Sequence, residues 1–359
     1  MKLKLSPNWL LVFIPVTVVL ERSEAAPPLI FFAAALAIIP IAALLVRATE
    51  QIAVRTGDAV GGLLNATFGN APELIITIVA LRAGLFDMVR ASIVGAILAN
   101  LLFGVGLAFF LCGLRFHSAE YNPASTRLYG SMMLIATFTL SVPSAFSRVA
   151  MTDETMLQER HINLLLSCLL LGAYVLYLVF MLKTHPDFFK SQGGDDQHHE
   201  GKLWSVPRAA ASLLVASVLA AWMSEILVGA AEGTGEALGM SEVFIGIIFL
   251  AIVGGIAEIG SAIAMARKNK MDLALGIAMG SCIQIALFVA PLLVLISYIV
   301  SPQPLNLAFR PAELYGLFVA VLIGTIVAGD GRSNWYKGIQ LLLVYAIMAV
   351  VFYFLPVAP

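Results

Sequence analysis

Two carboxylates stand in otherwise apolar runs: Glu73 in "FGNAPELIITIVA" and Glu258 in "GGIAEIGSAI". An ionisable group at mid-bilayer depth costs at least ~2.5 kcal/mol, and such groups face an interior pathway rather than lipid. The side chains near them in sequence carry oxygen: Asn65, Thr67 and Asn70 before Glu73, then Asn100, Ser281 and Gln284. Gly69 and Pro72 weaken a helix beside the first glutamate, and Gly254 and Gly255 do so beside the second. Irregular backbone at that depth is tolerated where it lines a cavity, and its carbonyls can bind a cation. Carboxylates, amides and carbonyls make an all-oxygen set, the kind that holds hard divalent ions such as Ca²⁺ with six to eight ligands. With no His or Cys among them, Zn²⁺ and Cu⁺ are disfavoured.

The elements that must position these groups are membrane spans. Hydrophobic residues make up 60% of the 359 and charged ones 12%, and the mean hydropathy is +0.94, far from soluble domains. Eleven apolar segments follow one another, over about 8–21, 28–48, 58–82, 90–113, 126–147, 161–183, 207–231, 241–266, 271–298, 311–329 and 336–355. The chain therefore reads as an all-α polytopic membrane protein with eleven transmembrane helices. The opening "MKLKLSPNWLLVFIPVTVVL" resembles a signal peptide, but no small-residue cleavage site follows it directly, so an uncleaved first helix is expected. A net charge of −1 excludes a nucleic-acid partner of the basic-patch type. Cys112, Cys168 and Cys282 lack metal-ligand spacing and read as small free hydrophobes. An intramembrane enzyme would need a nucleophile–base pair or a zinc motif such as H-E-x-x-H, and neither is present.

Positive charge sets an orientation. With the N-terminus inside, fifteen Lys and Arg fall in inner loops and six in outer ones, which puts the C-terminus outside. The polar connector 184–206 is then a cytoplasmic linker. Its His185, His198 and His199 beside Asp195, Asp196 and Glu200 read as a solvated segment. An N-terminal helix, 1–27, precedes two five-helix units, 28–183 and 207–359. An odd number of spans per unit makes the second enter the membrane from the opposite side, the inverted-repeat plan of secondary transporters. A shift of 185 residues lays "GNAPELIITIVALRAGLFDMVRASIVG" on "GGIAEIGSAIAMARKNKMDLALGIAMG" without a gap. It matches Gly69 with Gly254, Glu73 with Glu258, Arg82 with Arg267, Asp87 with Asp272 and Gly95 with Gly280. Two intramembrane glutamates so related imply one shared central site. A channel would use the same acidic site, but broken helices in an inverted repeat fit alternating access better.

The segments "GGLLNATFGNAPELI", "GAILANLLFGVG", "MSEILVGA", "GGIAEIGSAI" and "GSCIQIALFVAPLLV" together resemble the Ca²⁺/H⁺ antiporter family, the cation/proton exchangers of the Ca²⁺:cation antiporter superfamily. The resemblance runs over about residues 40–300. It implies eleven helices with the first outside the repeat, export of cytosolic Ca²⁺ for protons, and no cofactor. It also implies a place in the bilayer of a prokaryotic cell (inner) membrane. Glu73 and Glu258 look like the family's central carboxylates. Gly69, Asn70, Gly254, Asn100, Ser281 and Gln284 match positions lining the site, and Glu225 matches an acidic position on the seventh helix.

Two departures bear on ion choice. The family's second motif reads Gly-Asn-x-x-Glu-His, whereas Gly255 and Ile259 stand at the Asn and His positions here. Pro72 is similar to the Pro-Glu of sodium/calcium exchangers, the alternative reading, but the Thr and Ser of their Gly-Thr-Ser-x-Pro-Glu motif are absent from "GNAPE". Proton coupling is the expected mode, because loss of water favours the neutral form of a carboxyl and a bound cation favours the charged form. Ca²⁺ and protons then take turns on Glu73 and Glu258. The second and seventh helices slide across the site, with Glu50 and Glu225 relaying ions to it.

Overall fold

The computed structural model describes residues 7–55, 64, 67–149, 153–186 and 203–355. Lys2, Lys4, Asn65 and most of the 184–206 connector, including His198 and His199, lie outside the described residues. A 3₁₀ turn, Pro7–Val12, leads into α1, Phe13–Arg22. Next come α2, Pro27–Ala53, and α3, Ala71–Arg82. Then follow α4, Phe86–Phe116, α5, Pro123–Val149, and α6, Asp153–Val179. Beyond the connector are α7, Val206–Leu238, α8, Glu242–Gly254, α9, Ile256–Ala266, and α10, Met271–Val300. The last two helices are α11, Pro311–Ala328, and α12, Trp335–Tyr353.

Eight helices among the described residues are long and apolar enough to cross a membrane, and α8 with α9, bent by 56°, makes a ninth candidate. The other two expected spans are α1, ten residues long, and 58–82, whose last twelve residues form α3 and whose residues 58–63, 65 and 66 lie outside the described residues. Many large apolar side chains face outward, among them Leu176, Leu214 and Ile299, as they must where lipid and not water is the solvent. Cys112 and Cys282 are buried, whereas Cys168 is exposed on α6 between outward-facing Leu165 and Leu169.

The buried residues form two clusters. One is built mostly by α2 and α7, which pack along each other through Phe31, Ala34, Ile38, Ala216, Ala220 and Met223. The alanines let the two backbones approach, since lipid supplies no hydrophobic drive for helix association. The larger cluster joins α4, α5, α6, α10, α11 and α12. At its centre α4 crosses the π turn Ile245–Leu250 of α8. A Cβ at Gly95 would overlap the backbone of Ile247, so only glycine permits that crossing.

The loops at the ends are pinned. A two-stranded ribbon pairs β1, Ser118–Glu120, with β2, Arg332–Asn334, antiparallel, Ala119 opposite Ser333. Asp87, at the start of α4, pairs with Arg90 and with Arg310 just before α11. Asp272, at the matching point of α10, accepts the Asn122 N–H just before α5 at 2.7 Å. Starts recur at the 185-residue offset: α3 and α9 at 71 and 256, α4 and α10 at 86 and 271. A π turn follows in each of the latter, Ala99–Gly104 and Ile285–Val289.

Candidate cation site

The sequence predicts a weakened but continuous third span; the structure instead starts a new helix there. Asn70 has φ −92° and ψ 23°, and Ala71 and Pro72 fill the first helical positions. In the first turn the missing proline N–H has no intrahelical partner to lose, so Pro72 opens α3 rather than kinking it. On the other side Gly255, at φ −81° and ψ 10°, separates α8 from α9. Glu73 and Glu258 each lie in the first turn of the helix that follows. There the free backbone N–H groups and the helix dipole favour negative charge.

The two carboxylates are brought together. Glu258 lies within electrostatic reach of Glu73, and the Glu73 side chain packs on the α8 backbone. A Cβ at Gly254 would stand 2.9 Å from its Cγ, so a glycine is what lets the two halves of the site touch. Both residues are buried, Glu73 to 6% exposure and Glu258 to 9%. Both oxygens of Glu73, both of Glu258, and Oδ1 of Asn100 are out of contact with solvent and accept no hydrogen bond among the described residues. Each buried acceptor left unsatisfied costs about 1–3 kcal/mol, more if charged.

The remaining polar groups form a frame around these oxygens. Asn70 donates through Nδ2 to Gln284, and its Oδ1 accepts the Ser281 hydroxyl at 3.1 Å. Asn100 Nδ2 reaches Ser281 Oγ at 3.3 Å and the Ala96 carbonyl at 3.1 Å. Asn100 sits in the π turn of α4, and Gln284 directly precedes that of α10; π turns recur at functional sites because they redirect a side chain. The Asn70 and Gln284 oxygens are thus engaged with protein, while Asn100 keeps an acceptor free.

Sequence reasoning missed Thr77 and Ser92, which with Glu73, Ala96 and Ala251 line a small pocket beside the carboxylate. Thr77 stands one turn after Glu73 and donates to its carbonyl at 2.7 Å, so the helical period was a signal for it. For Ser92 the sequence held no local signal. Glu50 and Glu225 are not part of the cluster. Glu50 is exposed near the end of α2. Exposed Glu225 lines a separate cavity of about 410 Å³ between α3 and α7, with Arg82, Gly229 and Glu232.

A bundle of broken helices around paired buried carboxylates defines an integral membrane protein of the ion-exchanger class. The pattern described as "Sodium/calcium exchanger protein" matches residues 27–183 and 208–354. The chain is 40% identical to a Ca²⁺/H⁺ antiporter of Synechocystis sp. over 97% of its own length and 96% of the relative's. It is also 40% identical to the Ca²⁺/H⁺ antiporter ChaA of Bacillus subtilis, over 95% and 97%. Its fold superposes on native YfkE with a TM-score of 0.84 at 37% identity, covering 98% of this chain and all of that one. The chain belongs to the sodium/calcium exchanger protein family, on its Ca²⁺/H⁺ antiporter branch. The sodium–calcium exchanger NCX_Mj, at 17% identity and a TM-score of 0.56, shares the fold alone.

Proposed function

We propose that the protein exports Ca²⁺ from the cytosol in exchange for protons, by alternating access to one site built on Glu73 and Glu258. The observation that carries this reading is the set of five buried oxygens without partners: two on each glutamate and one on Asn100. Hard divalent cations take oxygen ligands, and a proton on a carboxyl satisfies the same atoms when the ion is gone. Backbone carbonyls where α8 stops at Gly254, and those at Gly69 and Asn70, complete the coordination. Gly255 leaves room beside Glu73 instead of supplying a further amide oxygen. Ser281 and Gln284 hold Asn70 and Asn100 in place.

The same proposal makes the chain eleven spans, with α1 outside two inverted five-helix repeats, 28–183 and 207–359. The recurrence of helix starts and π turns at one offset supports it, as does the exchange of partners in which Asp87 holds the start of α11 and Asp272 that of α5. The separate apolar cluster of α2 and α7 supports their movement as one unit across the rest. Glu225 stands on the outer route, in the cavity beside α3, and Glu50 at the inner end of α2. With the N-terminus in the cytosol, the protein sits in the cell membrane with its C-terminus outside.

The test is uptake of ⁴⁵Ca²⁺ into proteoliposomes. An imposed proton gradient is expected to drive accumulation against a calcium gradient, with or without Na⁺. Accumulation that runs only on a Na⁺ gradient would replace proton by sodium coupling, and dissipation alone would make the protein a channel.

Gly255 supplies a gain-of-affinity prediction. A Cβ there would lie 3.5 Å from Glu73 Oε1 and 3.4 Å from Asn100 Nδ2, with 3.3 Å to the Ala251 carbonyl. The backbone is in an ordinary region for any residue. Gly255→Asn is therefore expected to add an oxygen beside the carboxylates and tighten apparent Ca²⁺ affinity roughly two- to tenfold, the worth of about 0.5–1.5 kcal/mol of added ligation. Initial rates against Ca²⁺ concentration check it; unchanged affinity in a folded variant would mean that water or a carbonyl already fills that place.

A further inference from the structure

We infer that the junction between the end of α2 and the start of α7 binds the phosphate of an anionic phospholipid headgroup. Trp204, just before α7, is captured from several directions. Its N–H donates to Gln51 Oε1 at 2.8 Å, and its carbonyl accepts from the Arg55 guanidinium. The Cζ of Arg47 lies 5.2 Å from the centre of its ring, and that of Arg208 4.8 Å. Arg47 and Gln51, four apart, share one face of α2 near its end, and Arg55 follows two residues past it. Two guanidiniums thereby lie over one indole, and a third holds the backbone of the same residue.

Within the described residues their charges have no acidic partner: none of the three makes an ion pair. Stacking on an indole occupies the flat face of a guanidinium and leaves its N–H edge free to grip phosphate oxygens two at a time. An anion fits where like charges are otherwise forced together.

The surroundings choose a lipid over a free anion. Leu203 and Val206, on either side of the Trp204 segment, and Val54, next to Arg55, are exposed apolar side chains suited to acyl chains just below a headgroup. Tryptophan itself favours the level where headgroups meet hydrocarbon. In the orientation proposed above this is the inner leaflet. The occupant would then bridge α2 and α7 where the connector joins the second unit, and so bear on the pair of helices assigned to the gate.

The experiment reads binding without transport, so it stands apart from the exchange reaction. The full chain, delipidated in detergent and free of Ca²⁺, is titrated with phosphatidylglycerol or phosphatidylcholine and scored by native mass spectrometry. Phosphatidylglycerol is expected to bind roughly tenfold more tightly than phosphatidylcholine, in line with two arginines meeting an anionic headgroup. R47Q/R208Q should remove that preference, R47K/R208K should keep part of it, and R115Q, at another loop, should leave it whole. Single R208Q serves if the double variant fails to fold. Equal retention by wild type and variant would overturn the site, and displacement by millimolar inorganic phosphate would make the ligand a free anion rather than a lipid.

Discussion

Glu73→Gln and Glu258→Gln are each expected to reduce calcium exchange to background while the protein stays folded in the membrane. Glutamine keeps the shape of the side chain and loses its charge. Both glutamates are almost wholly buried, and their oxygens have no other partner, so neither fold nor packing depends on the charge being there. The cation, in contrast, loses a full negative charge from its ligand shell at a place shielded from water. Unpairing a buried charge costs about 3–5 kcal/mol, which is a factor of roughly 10² to several 10³ in affinity. The Gln amide would also donate to the remaining carboxylate and occupy the very oxygens the ion needs. Flux in proteoliposomes, with size-exclusion profiles to show a folded protein, measures both halves of the expectation. Wild-type exchange in either variant would remove the shared site, because a site using one glutamate alone leaves the other's burial without cause.

How far this could be read from the sequence differs from one residue to the next. The carboxylates announced themselves, because charge is costly in apolar runs and the 185-residue offset paired them. The framing residues Asn70, Asn100, Ser281 and Gln284 were named, but not which oxygens are spent on one another. That depends on side chains over 180 residues apart meeting across helices, which no local pattern encodes. Pro72 was read as a flaw inside a helix when it is the opening of one; a proline signals a boundary without saying on which side the helix lies. Ser92 faces the Glu73 pocket only because α4 crosses α8 so closely at Gly95. Glu225, read from sequence as a relay on the seventh helix, lines a cavity with Arg82, where α7 packs on α2 and α3; the sequence could not say how far from the glutamates that would be.

That separation of Glu225 from the central pair makes a kinetic result decisive. Acidifying the side from which Ca²⁺ binds is expected to raise the apparent KM for calcium while leaving the maximal rate nearly unchanged. The reasoning starts from single atoms. A carboxylate oxygen that carries a proton has lost the lone pair a cation would use, and among the described side chains of this site Asn100 Oδ1 is the other acceptor without a partner. Proton and cation are therefore exclusive on Glu73 and Glu258, and enough calcium must displace the proton. The sign follows directly: lower pH on that side protonates more empty sites, so more calcium is needed to half-fill them. Protons acting on Glu225 in its open cavity, or on exposed Glu50, would do something else. They would slow passage or gating without competing for ligands, lowering the maximal rate at a fixed KM. Initial rates across a calcium series at three pH values on the binding side, with the opposite side held constant, separate the two patterns. A pure effect on maximal rate would refute competition at the paired glutamates even if both proved essential. A pure effect on KM that vanished in Glu225→Gln would move the competition to the cavity between α3 and α7.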